Sequence, residues 1–137
     1  MSNLVILPII IPFLAGVAMI FFRQRLPFVR FLTKATTIIN LIVSLYLGFV
    51  VFQHGALVLE TGDWVAPYGI ILVADPLSAA LVIIVNLIAI ACAFYAFSSL
   101  DEEREKFYFY SLFLVLITGV NGAFLTGDLF NLFVFFE

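Results

Sequence analysis

Four long stretches without an internal charge set the frame of this chain: residues 4–22, 35–53, 76–100 and 107–126. At about 1.5 Å of helical rise per residue each is long enough to cross a hydrocarbon core about 30 Å thick. A fifth apolar run starts after Asp128 and closes on Glu137, at 128–137. The pattern predicts an all-α integral membrane protein with four complete transmembrane helices and the first half of a fifth. Residues 56–74 break the pattern, with β-branched runs around Gly62-Asp63-Trp64 and Pro67-Tyr68-Gly69. That turn chemistry predicts a short β-hairpin at the membrane surface, with Trp64 and Tyr68 at headgroup level.

Polar and small residues within the apolar stretches fall at helical spacing. In the first, Pro8, Pro12 and Gly16 recur every four residues and share one face. Either they admit a neighbouring helix closely, or the prolines simply open the helix. In the second, Thr36, Asn40, Ser44 and Gly48 form a stripe at the same spacing, read as a packing face or as the wall of a hydrated path. Asn86, Ala89, Ala93 and Ala96 give the third helix a small-residue face. Asp75 precedes Pro76 as a helix N-cap, or marks an outer ion entrance. Thr118, Gly119, Asn121 and Gly122 make the fourth helix polar and permissive, as a partner's seat or as room for water.

Composition agrees with the pattern. Hydrophobic residues are 65% of the chain and charged ones 11%, against about 50% and about 25% in soluble domains. Four of the six cationic residues, Arg23, Arg25, Arg30 and Lys34, crowd the first connection, and the other two lie in the segment Asp101-Glu-Glu-Arg-Glu-Lys106. With the helices laid out as above, every cation falls on one side, so the positive-inside rule predicts an N-terminus outside. The acidic residues of that second segment read as a solvated turn. No basic patch points to nucleic acid. Cys92 is alone and reads as a small packing residue, and His54 as an interfacial one, so neither suggests a metal or a redox cofactor.

The chemistry concentrates in Glu137. Counted from the Asp128 cap it lies about 15 Å along its helix, near the middle of the hydrocarbon. A charge buried mid-helix costs about 3 kcal/mol on insertion scales. Protonating an ordinary glutamate at neutral pH costs roughly as much, so a nearby cation or water file decides the form adopted. A group poised in this way suits a proton relay facing a protein interior. The plainer alternative is a shifted helix whose acid snorkels to the surface. No Lys or Arg of this sequence lies at that depth, so an ion-pair partner is expected outside it. A chain would hardly stop at mid-bilayer with unpaired carbonyls, which makes residues 1–137 the expected N-terminal piece of a longer protein.

The run Gly-Val-Asn-Gly-Ala-Phe-Leu-Thr-Gly-Asp-Leu-Phe-Asn-Leu-Phe-Val-Phe-Phe-Glu, residues 119–137, resembles the fourth and fifth helices of antiporter-like subunits shared by Mrp-type cation/proton antiporters and respiratory complex I. The Leu-Pro-Ile-Ile-Ile-Pro opening, Glu-Thr-Gly-Asp-Trp and Val-Ala-Asp-Pro-Leu-Ser are similar most of all to Mrp D subunits. The resemblance implies that Glu137 pairs with a lysine on a later helix within inverted repeats. It also implies a proton-translocating subunit of a multisubunit Na⁺/H⁺ antiporter in a bacterial cytoplasmic membrane, partnered by other Mrp subunits. Such a subunit is a secondary transporter, not an enzyme, and needs no redox cofactor. Two alternatives stay open: a proton-pumping membrane subunit of a redox complex such as complex I or a membrane-bound hydrogenase, and a structural scaffold.

Overall fold

The structure, a computed structural model, describes residues 2–65 and 67–137. Ala66, inside the expected hairpin, lies outside the described residues. A 3₁₀ turn (Ser2–Ile6) leads into α1 (Leu7–Phe21), which has Pro8 in its first turn and Pro12 in its interior. A tight connection gives α2 (Leu26–His54). The hairpin pairs β1 (Leu57–Glu60) with β2 (Ile71–Ala74), antiparallel, in the register Leu57 to Ala74. Then come α3 (Pro76–Ser99), a single turn α4 (Glu102–Arg104), α5 (Tyr110–Leu125) and the short α6 (Leu129–Phe136). Among the described residues, four helical segments, including the stretch from Glu102 to Leu125 taken as one, are long and apolar enough to cross a membrane.

The second helix starts at Leu26, nine residues before the expected start at 35. Pro27 opens it in the first turn, where a missing N–H costs nothing. Arg30 and Lys34 therefore sit on helix, one turn apart, and not in a loop. Their heads find partners at the rim: the Lys34 ammonium stands 5.1 Å from the Phe97 ring centroid, and Arg30 reaches Glu105. Long cationic side chains on a helix end keep their charge at the interface in this way.

The approach to α5 also departs from expectation. Residues Glu105–Phe109 form a widened π turn, with Phe107 at φ −90°, ψ 57° and Tyr108 in the left-handed region at φ 58°. Residues five apart on an α-helix point about 140° away from each other; the extra residue of a π turn brings Glu105 and Tyr110 to the same side. The Tyr110 hydroxyl accordingly donates to Glu105 at 2.7 Å. The Arg23 guanidinium stands 4.7 Å over the Tyr108 ring and holds the outlying residue from the other side.

α1 packs chiefly on α5, and α2 on α3. Two apolar clusters result. Val5, Leu47, Leu72, Val82 and Leu125 fill the hairpin end, while Met19, Val29, Ala96, Tyr110 and Leu114 fill the cation-bearing end. Pro8, Pro12 and Gly16 all face inward, and the Ser111 hydroxyl donates to the Gly16 carbonyl at 2.6 Å. The first face is therefore a close-packing face.

Candidate functional site

Between the two clusters lies a polar layer. The stripe on α2 is buried throughout, and Asn40, Asn86 and Asn121 are each no more than 1% exposed. Pro12 has no N–H to donate to the carbonyl of Pro8, four residues back, so that carbonyl lacks a helical partner. It accepts instead from Asn121 Nδ2 at 3.0 Å and from Asn40 Nδ2 at 3.4 Å. Asn40 also donates to Asn86 Oδ1 at 2.8 Å, and Asn86 donates to Ser44 Oγ at 2.8 Å. Asn86 and Asn121 exchange longer contacts of 3.4 Å. α1, α2, α3 and α5 thus meet through neutral amides in the membrane interior, where few other donors exist. Asn40 Oδ1 is buried without a donor among the described residues.

α6 begins where Asp128 caps it, accepting from the Phe130 N–H at 3.2 Å, and Asn131 donates to Thr126 Oγ1 at 3.2 Å. The helix then runs antiparallel down the glycine side of α5. A Cβ on Gly122 would lie 2.3 Å from the Phe135 ring, and one on Gly119 would lie 2.9 Å from the Phe135 carbonyl. The missing side chains are what let α6 approach. Glu137 follows two residues later, its N–H bonded to the Phe133 carbonyl at 3.1 Å. Its side chain borders an open groove of about 690 Å³ shared with Phe13, Leu116, Gly119 and Phe135. The described residues cover one side of Glu137 and leave it exposed on the other.

One acid departs from its sequence reading. Glu105, expected in a solvated turn, is 2% exposed. Arg30 donates to both of its carboxylate oxygens, through Nε at 3.2 Å and through Nη2, and Tyr110 donates as well. The signal for this lies in Pro27, a helix opener that extends the helical frame through Arg30. Asp75 caps α3 by accepting from the Ser78 N–H at 2.6 Å. Cys92, expected in packing, is exposed, and His54 ends α2 with Nδ1 3.3 Å from the Val50 carbonyl. Among the described residues no three His, Cys, Asp or Glu side chains are grouped to hold a metal.

The fold defines a polytopic α-helical membrane protein whose last helix carries an acid down the flank of its neighbour. No family model matches the chain. It is 50% identical over its whole length to the D subunit of the Na⁺/H⁺ antiporter of Alkalihalophilus pseudofirmus and 44% identical to that of Bacillus subtilis, spanning 28% of each. A chain in the Mrp complex from Dietzia sp. DQ12-45-1b superposes with a TM-score of 0.88 at 27% identity, over 98% of this chain and 24% of that one. A chain of the membrane-bound sulfane sulfur reductase, an archaeal respiratory membrane complex, gives a TM-score of 0.89 at 23% identity, over 98% of this chain and 28% of that one, and so shares the fold. The chain belongs to the family of Na⁺/H⁺ antiporter D subunits and corresponds to the N-terminal part of its members.

Proposed function

We propose that the chain forms the N-terminal part of a proton-translocating subunit of a multisubunit Na⁺/H⁺ antiporter, with Glu137 as a proton relay at mid-membrane. The observation that carries this reading is the similarity to antiporter D subunits along the whole chain, Glu137 included. The site adds physical support. Glu137 is held by a glycine-seated helix beside Leu116, in a predominantly apolar groove with one open side. A cationic side chain or a water file entering that side would complete a path on which the carboxyl takes up and releases protons. Other antiporter subunits are the partners, Na⁺ and H⁺ the transported ions, and the bacterial cytoplasmic membrane the location. The cation-bearing end faces the cytoplasm and the N-terminus the outside.

The test is Na⁺/H⁺ exchange in everted vesicles that carry the complete antiporter. Glu137→Gln is expected to lower exchange at least tenfold at unchanged protein level; undiminished exchange would remove the relay. Flavin or iron–sulfur absorbance in the purified complex would assign the chain to a redox pump instead.

A further inference from the structure

The Pro8 carbonyl, Asn121 and Phe135 form a line from α1 through α5 to α6. Asn121 is 0% exposed and donates across the helix boundary to a carbonyl that Pro12 leaves without a helical donor. Gly119 and Gly122 flank Asn121 on the same helix and seat the carbonyl and ring of Phe135, two residues from Glu137. An amide bond of this kind fixes rotation about the helix axis. Turning α5 out of place would carry the two glycines away from Phe135 and bring their bulkier neighbours Val120 and Ala123 toward it. α6 would then shift along its neighbour and carry Glu137 with it.

We infer that Asn121 is a positioning residue for Glu137: through the free Pro8 carbonyl it sets the rotation of α5, and through the glycine seat of Phe135 it sets the depth of the acid. This rests on the relay reading of Glu137, and the experiment separates the two. The amide has two separable effects here. It satisfies a buried carbonyl, which bears on stability, and it ties α5 to α1, which bears on position. Pro12→Ala separates them, because alanine at that position supplies an N–H to the Pro8 carbonyl from within α1 and makes no tie to α5.

The variants are made in the complete subunit within its assembled complex, with Cys92→Ser as background and spin labels at Ala123→Cys and Val134→Cys. Asn121→Leu is expected to lower thermal stability, to move the labels apart or together, and to cut exchange at least tenfold. In Pro12→Ala/Asn121→Leu, stability is expected to return while the label distance stays shifted and exchange stays low. Recovery of exchange along with stability, or a label distance equal to that of the parent, overturns the inference. Should the double variant fail to assemble, Asn121→Gln keeps the amide one methylene further out; a shifted distance with reduced exchange supports positioning, and an unshifted one overturns it. A shifted distance with undiminished exchange overturns the link to transport. Glu137→Gln measured alongside shows whether the relay reading itself has failed.

Discussion

Arg30 donates to both carboxylate oxygens of Glu105, and the two residues belong to helices that the sequence places 75 positions apart. Glu105 has no side-chain exposure, whereas Arg30 keeps 37%. Removing the cation strands a buried carboxylate, and removing the carboxylate lets the arginine turn to water. Arg30→Ala is therefore expected to cost more than Glu105→Gln: about 3 kcal/mol against about 1 kcal/mol, below the range for fully buried pairs because the arginine is part-exposed. Thermal unfolding of the purified complete subunit, with a double-mutant cycle, measures both.

The same carboxylate holds the π turn in place. With Glu105→Ala the reason for aligning positions 105 and 110 is gone, and the left-handed Tyr108 is free to relax into regular helix. Introducing cysteines at Phe107 and Leu112 in turn reports this change. Thiol labelling at position 107 is expected to change severalfold in the Glu105→Ala background, and labelling at 112, on regular helix, to stay as it was.

Two glycines make opposite predictions. A Cβ at Gly48 meets only the side chain of Ile83, whose flexible far end, Cδ1, lies at 2.8 Å, whereas a Cβ at Gly122 meets the Phe135 ring. Gly48→Ala is expected to change stability by less than about 1 kcal/mol, and Gly122→Ala to destabilise by about 1–3 kcal/mol, since a packed ring has nowhere to go. Unfolding of the two variants in the same detergent decides it.

Asp75 carries a pH signature. The Ser78 hydroxyl, and then its backbone N–H, hold the carboxyl below its usual value. A lowered native value means that the cap stabilises the protein fully above the ordinary carboxylate range and loses that contribution as pH falls through the lowered value. Asp75→Ala is expected to cost about 1 kcal/mol at neutral pH, with the difference from the parent narrowing toward about pH 3. Unfolding midpoints measured across that range check the sign.

How legible each feature is in the sequence depends on what the feature needs. The helices, the hairpin and the caps at Asp75 and Asp128 are local events written in spacing and turn residues, and they stand close to where the sequence puts them. Pro8, Pro12 and Gly16 are visible as a face, yet their partner is not: which amide fills the free carbonyl depends on how helices 113 residues apart come together. Glu105 escapes a sequence reading for a related reason. Burial of an acid in a charged turn is set by an arginine on another helix, and charge spacing alone starts that helix nine residues late. Glu137 stands out through its depth along the helix, while its open side offers no local pattern from which its surroundings could be read.

The hairpin is more than a cap on the outer end. Its second strand reaches past β1 to the turn that launches α6: Leu72 bridges to Thr126, the Gly127 N–H bonds to the Ile71 carbonyl at 2.8 Å, and Val73 packs where Gly127 has no side chain. A ribbon at the outer rim therefore grips the reversal from which the acid-bearing helix hangs. A nanobody that pries this ribbon loose would disturb the acid from outside the cell, without entering the bilayer or touching the groove.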